Sequence, residues 1–205
     1  MSLEAFLAFL VASAVLLAIP GPTILFVVGT SLARGRWAGL GTVPAVMLGD
    51  LVAMTASLAG LGALLAASAT AFTVLKLVGA AYLVWLGIRM WRSPPAPVDL
   101  AAGGGADPGI RRHAFVVTAL NPKSIAFFVA FVPQFIDPSA PLLPQIVVME
   151  ATFVLLAGLN AALYAVLAGR ARRFARDPRV LRAFGRVGGS ALIGAGALTA
   201  AARQA

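Results

Sequence analysis

Asp50, Lys123 and Glu150 are ionisable residues set inside long apolar stretches. Where such a stretch crosses a bilayer, a charge at its centre costs on the order of 3 kcal/mol or more, so the side chain faces a polar interior and takes a partner. Asp50 or Glu150 can then hold an amino group or carry a proton. Lys123 can neutralise either carboxylate or bind the carboxylate of a substrate. Snorkelling to the surface, the bland alternative for a lysine, is difficult from mid-span. Glu150 follows Pro141 by nine residues, close to an interface, which makes Asp50 the better candidate of the two carboxyls.

Two apolar stretches are also broken in matching places, at Ile19-Pro20-Gly21-Pro22-Thr23 and at Leu120-Asn121-Pro122-Lys123-Ser124. Proline suits the first position of a helix, where its missing N–H would be unpaired anyway. Gly21 and Asn121 are acceptable N-caps. Both sites therefore read as helix starts. Pro22 lies 12 residues before Arg34 and Pro122 lies 10 after Arg112, which puts both roughly 15–18 Å from a basic flank and near mid-membrane. A half-helix N-terminus there offers free N–H groups and a positive dipole end, suited to a carboxylate. One such break is an ordinary proline kink. A matched pair points to a substrate site, because non-helical backbone at membrane depth survives only where protein buries it or a cavity receives it.

The elements that position these residues follow from composition. The 205 residues are 60% hydrophobic and 11% charged, with a mean hydropathy of +0.95, which excludes a soluble domain. Six apolar segments, about 3–32, 38–66, 71–91, 113–135, 143–168 and 186–202, can each cross a hydrocarbon core. The last is short and rich in Gly and Ala. Their continuous runs lack the alternation of a barrel strand. The expected fold is an all-α integral membrane protein of six transmembrane helices, with helices 1 and 4 broken at mid-membrane.

The net charge of +9 is placed asymmetrically. Arg34 and Arg36, then Arg89, Arg92, Arg111 and Arg112, then seven arginines from Arg170 to Arg186 occupy three loops on one side of a six-span chain. Only Lys76 and Arg203 fall on the other side. The positive-inside bias places the basic loops in the cytoplasm and both termini outside. Such a face meets anionic lipid rather than nucleic acid. Glu4, with no Lys or Arg before the first apolar run, argues against a signal peptide, so segment 1 stays as a span. The absence of cysteine excludes disulfide and thiol redox chemistry.

Residues 92–112 are Pro/Gly-rich and polar, a flexible connector between a first three-helix half, 1–91, and a second, 113–205. The halves correspond in order. Pro22 answers to Pro122, Asp50 to Glu150 at the same offset, and Ala59-Gly60-Leu61 to Ala157-Gly158-Leu159. Val78-Gly79, Leu83 and Gly87 answer to Val187-Gly188, Leu192 and Gly196 with identical spacing. Three spans per half is odd, so the second half enters from the opposite side, as in the inverted repeats of many secondary transporters.

The remaining signals read as packing or anchoring. Gly79-Ala80-Ala81, Gly185 and Gly189 allow close helix approach, and Tyr82, Asn160 and Tyr164 read as interhelical hydrogen-bonding groups before they read as cavity lining. Trp37, Trp85 and Trp91 look like interface anchors. His113 is alone, whereas a metal site would need clustered His, Cys or carboxylates.

These residues together resemble the LysE/RhtB family of amino-acid exporters. The likeness is carried by Ile19-Pro20-Gly21-Pro22, by Ser31-Leu32-Ala33-Arg34-Gly35 and by Leu48-Gly49-Asp50. It continues through Leu77 to Gly87, Leu120-Asn121-Pro122-Lys123 and Phe127-Phe128 with Phe131-Val132-Pro133-Gln134-Phe135. It weakens after about residue 140.

The resemblance implies export of amino acids or close derivatives from the bacterial cytoplasm by proton antiport, in the cytoplasmic (inner) membrane and without a cofactor. It carries over Pro20, Gly21, Pro22, Asp50, Asn121, Pro122 and Lys123 as substrate-pathway residues. Asp50, with Glu150 second, is the expected proton-coupling carboxyl. The expected partners are the amino-acid substrate, protons and membrane lipid; a homo-oligomer is compatible with the same reading. The rivals are an exporter of another small solute or a metal ion on a related fold, an intramembrane protease using Asp50 and Glu150, and a non-transport membrane subunit. The lack of Cys and clustered His counts against the metal ion, and the lack of a second Asp against the protease. A structural subunit leaves the paired breaks and Lys123 unexplained.

Overall fold

A computed structural model describes residues 1–92, 108–170 and 178–201. Among them every regular element is helical, and there is no strand. The chain runs α1 (Leu3–Ala18), α2 (Pro22–Arg34), α3 (Arg36–Leu40), α4 (Val43–Ala67) and α5 (Ala69–Arg92). It continues as α6 (Pro108–Ala119), α7 (Pro122–Ala130), a 3-10 turn (Val132–Phe135), α8 (Leu142–Arg170) and α9 (Pro178–Ala201). Most of the expected connector 92–112 lies outside the described residues. Its last part, Pro108 onward, is the first turn of α6 rather than linker.

Local chemistry sets the boundaries. The Ser2 hydroxyl caps α1 by accepting from the Ala5 N–H at 3.2 Å, and Glu4 sits in the first turn, where the helix dipole favours a carboxylate. Pro20 stops α1 and Pro22 opens α2, so the pair bends by 50° across the break. Gly35 turns the chain from α2 into α3 at φ +91°, a left-handed conformation that a side chain would strain. Asn121 caps α7, its side chain accepting from the Lys123 N–H at 3.1 Å, with Pro122 at the first position.

Among the described residues three stretches are long and apolar enough to cross a membrane: Arg36–Gly62, Pro108–Phe135 and Leu142–Ala168. The bent pair α1–α2 makes a fourth if it is one span. Helices α5 and α9 are 24 residues each, about 36 Å at 1.5 Å per residue. Both carry arginines toward one end, and the apolar part of α9 shrinks to Leu192–Ala201.

Helix α8 shows how such a bundle is built without a polar face. Leu155, Leu159, Leu163 and Leu167 recur every four residues and are exposed, while Phe153, Ala157, Ala161 and Ala165 are buried. Leucines face outward and, Phe153 apart, alanines face inward, because apolar lipid gives no reason to hide leucine and close packing favours alanine. The interior forms two apolar clusters. One gathers Phe9, Leu16, Met54, Phe127, Phe128 and Phe153. The other gathers Ile24, Phe26, Val27, Val46, Ala161 and Ala165.

Helices α5 and α9 lie in close contact along their length. A Cβ added at Gly87 would come within 2.5 Å of the Gly189 carbonyl oxygen, and one at Gly196 within 2.6 Å of the Ala80 carbonyl oxygen. Glycine is needed because the neighbour is backbone and cannot rotate away. Gly87→Ala is expected to destabilise the fold by about 1–3 kcal/mol through overpacking. Gly60→Ala, where an added Cβ meets nothing within 4 Å, should leave it unchanged or slightly more stable. Melting curves in detergent compare the two, and equal melting temperatures would remove the packing argument.

Candidate functional site

Both breaks open onto one internal cavity. Its polar walls are Gly21 and Thr23 from the first break, Asn121, Lys123 and Ser124 from the second, Asp50 from α4 and Asn160 from α8. Its apolar walls are Leu17, Ile24, Val46 and Ala157. Val46 and Asp50 are four residues apart on α4 and so share a face. The volume is about 20 Å³, enough for roughly one water and far too little for an amino acid.

The two helix starts are joined directly. The Asn121 side-chain amide donates to the Thr23 hydroxyl at 3.1 Å while its oxygen holds the Lys123 N–H. First-turn N–H groups have no partner within their own helix. Those of Thr23, Ile24 and Ser124 belong to residues on the cavity wall, so two positive helix ends converge on one point.

Lys123 reaches across the break opposite its own. It is only 4% exposed, and its Nζ donates to the Leu16 carbonyl at 3.0 Å and to the Ile19 carbonyl at 2.7 Å. Two further donors come from α8. The Asn160 amide donates to the Leu17 carbonyl at 2.9 Å, and the Tyr164 hydroxyl donates to the Ala18 carbonyl at 2.8 Å. The carbonyls left free where α1 stops are thus answered one by one, as buried backbone requires. Among the described residues Lys123 makes no ion pair in contact with either carboxyl, but its charge acts on Asp50 through space beside these carbonyl bonds. Two of its three ammonium hydrogens are used by α1, and one remains.

Asp50 is 3% exposed and lines the cavity. Among the described residues no hydrogen-bond donor reaches its carboxyl group. The carboxyl shares this wall with the Lys123 ammonium, whose charge acts on it through space. Gly49, beside it, lets α4 approach α6: a Cβ there would lie 2.8 Å from that of Thr118.

Of the residues expected from sequence, the structure brings Gly21, Asp50, Asn121 and Lys123 together around the cavity. Pro20, Pro22 and Pro122 shape the breaks without lining it. Glu150 stands apart, half-buried between α8 and α4, and accepts from the Thr55 hydroxyl. Thr23 and Ser124 join the site without a chemical signal in the sequence. Position alone marks them, because each follows a helix-starting proline by one or two residues. No group of three or more His, Cys, Asp or Glu able to hold a metal occurs among the described residues.

Broken helices around a small polar cavity, among apolar helices of membrane length, define a class of protein: an all-helical membrane protein. The chain belongs to the family of LysE type translocators, which it matches over residues 14–202. It is 34% identical over 204 residues to an uncharacterized membrane protein of Vibrio cholerae serotype O1, covering 99% of this chain and 100% of that one. It is 34% identical over 207 residues to the homoserine/homoserine lactone efflux protein of Salmonella typhimurium, covering 100% of both chains. It is 36% identical over 137 residues to the leucine efflux protein of Enterobacter sp. (strain 638), covering 66% of this chain and 65% of that protein. No solved structure matches it significantly. The chain is a membrane efflux translocator and not an enzyme.

Lys123→Met keeps the length of the side chain and removes the donor. It leaves the Ile19 carbonyl unanswered and the Leu16 carbonyl with only the Ile19 N–H at 3.2 Å. The expected loss is about 1–3 kcal/mol of stability, read as a lower melting temperature in detergent. An unchanged melting temperature would mean that the α1 carbonyls do not depend on Lys123.

Proposed function

We propose that this translocator exports amino acids or close derivatives from the bacterial cytoplasm in exchange for protons. The observation that carries the proposal is the single cavity on which two helix N-termini, the Lys123 ammonium and the donor-free Asp50 carboxyl converge. The named activities of the relatives, efflux of homoserine, homoserine lactone and leucine, agree with it. The substrate carboxylate takes the first-turn N–H groups of α2 and α7 and the remaining hydrogen of Lys123. The substrate ammonium takes Asp50. When the substrate leaves, Asp50 binds a proton instead and carries it inward. Glu150 is the second carboxyl of the proposal, off the cavity and tied to Thr55.

The proposed architecture is six spans in two inverted repeats, residues 1–91 and 113–205, joined through 92–112. The packing supports it. Helix α4 lies against α8 and α5 against α9, as equivalent helices do across a two-fold axis. Helix α4 also meets α6 and α7 as α8 meets α1 and α2. The proposed orientation puts the basic loops in the cytoplasm and both termini outside. The Met1 ammonium lies 4.0 Å from Asp137, in the loop before α8; that contact agrees with a common side for the N-terminus and this loop. Asp137 accepts from the Ser139 hydroxyl at 2.6 Å and its N–H at 2.9 Å, which hold its carboxyl below the usual range. At the basic end, arginines lie over tryptophans: Arg36 over Trp37, Arg89 over Trp85 and Arg186 over Trp91, at 5.1–5.5 Å. Such pairs suit a headgroup interface.

Efflux from proteoliposomes loaded with labelled homoserine, leucine and a panel of other amino acids, with and without a proton gradient, tests the reading. Gradient-stimulated efflux of at least one class is expected. Asp50→Asn should reduce it roughly tenfold or more, as the loss of a charged partner worth about 1.5–3 kcal/mol implies. Glu150→Gln should slow efflux while leaving it gradient-dependent. Efflux indifferent to the gradient in the unaltered protein would overturn proton coupling, and no efflux across the panel would overturn the substrate class.

A further inference from the structure

The two breaks are closed by different means. At the second, the last two N–H groups before Pro122 both close on the backbone, Leu120 to the Val116 carbonyl and Asn121 to the Thr118 carbonyl at 3.0 Å, whereas at the first only the Ile19 N–H does so, to the Leu16 carbonyl at 3.2 Å. Helix α6, α7 and the following turn run as one apolar span from Pro108 to Phe135. At the first, α1 and α2 diverge by 50°. Among the described residues, the carbonyls of Leu17 and Ala18 are held there by side chains of another helix, Asn160 and Tyr164. A backbone-closed break stays shut as long as its helix persists. A side-chain-closed break opens when three side-chain donors let go, with no helix unwinding.

We infer that Asn160 and Tyr164 are positioning residues that latch the C-terminus of α1, and that α1 is the lid that swings to open the cavity while α6–α7 stays rigid. Lys123 completes the latch from α7. Leu17, on the lid, is a cavity wall, so displacing α1 uncovers the site. Because Lys123 also faces the cavity, a bound carboxylate competes with Leu16 and Ile19 for its ammonium, and loading the site weakens the latch. The lid opens outward under the topology proposed above; that direction and the competition by a bound carboxylate rest on the exporter reading, and the latch itself does not.

The chain has no cysteine, so single thiols can be placed in the protein as it stands. Ser13 on α1 and Thr118 on α6 are both fully buried with hydroxyls that make no hydrogen bond. A thiol at either position therefore replaces no bond. Labelling of Ser13→Cys and Thr118→Cys by a membrane-impermeant methanethiosulfonate is measured in right-side-out and inverted vesicles, with and without Tyr164→Phe. The expected result is a rise of roughly fivefold in the labelling rate at position 13 from the outer face, as the loss of one hydrogen bond worth about 1 kcal/mol implies. Position 118 should not change. Asn160→Ala, which removes the bond to Leu17, should reproduce the pattern. Unchanged labelling at 13, or an equal rise at 13 and 118 in both variants, would overturn the latch. A rise at 13 from the inner face alone would keep the latch and overturn the outward topology. None of these readouts requires flux, so a failure of the exporter reading leaves the latch testable.

Discussion

The structure depends on one constraint: a helix that stops inside an apolar bundle exposes carbonyl oxygens that must find donors within the protein. Where α1 stops at Ala18, protein side chains supply the answers, and the bonds set the arrangement of the other elements. Lys123 must come from α7 to within 2.7 Å of the Ile19 carbonyl. Asn160 and Tyr164, four residues apart on α8, must face the same helix end. Asn121 then ties the start of α7 to the start of α2 through Thr23. Moving any one of these helices orphans a buried backbone group, at about 1–3 kcal/mol each.

The same constraint explains why charge can be kept at this depth. Lys123 is solvated by backbone carbonyls instead of water, so its ammonium does not need a carboxylate in contact. That leaves Asp50 without a donor. Direct pairing of the two would satisfy both and close the cavity chemically. Holding them on one wall, with the ammonium bonded to the α1 carbonyls, keeps the two groups apart. Both apolar clusters reach this polar centre, through Ala157 from one and Ile24 and Val46 from the other, and the cavity of about 20 Å³ is too small for an amino acid.

Much of this is legible in the chain. Proline after an N-cap residue, twice, at matching depth, identifies the breaks, and Asn121 caps α7 as its type suggests. Asp50 is legible because a carboxyl is too costly to keep in an apolar run unless it faces a polar interior. The partners of Lys123 are not legible, because the sequence offers two carboxylates and hides the carbonyls; backbone acceptors become visible only when a helix is seen to end. Asn160 and Tyr164 read as generic interhelical hydrogen-bonding groups and are that, yet their acceptors are the ones that matter. The two breaks look alike in sequence, since both place proline first. They differ because Ile19-Pro20-Gly21 carries a second proline that cannot donate, whereas Leu120 and Asn121 both can. Helix α9, short and Gly/Ala-rich in sequence, remains the least apolar of the long helices, with ten apolar residues toward its end.

Charge balance connects the geometry to what the site can carry. The cavity wall carries one basic and one acidic side chain, Lys123 and Asp50, each acting on the other's charge. A zwitterion entering between them adds one charge of each sign and leaves the sum unchanged. A ligand with a second ammonium would add an uncompensated charge in a low-dielectric interior, where even relaxed proteins impose a penalty of several kcal/mol per ion. The remaining walls, Leu17, Ile24, Val46 and Ala157, offer nothing to a charged side chain. A proton on Asp50 also leaves the Lys123 charge unbalanced within the cavity, which the partial negative charge of the α1 carbonyls offsets. The carbonyls that hold Lys123 in place thus offset its charge inside the protein.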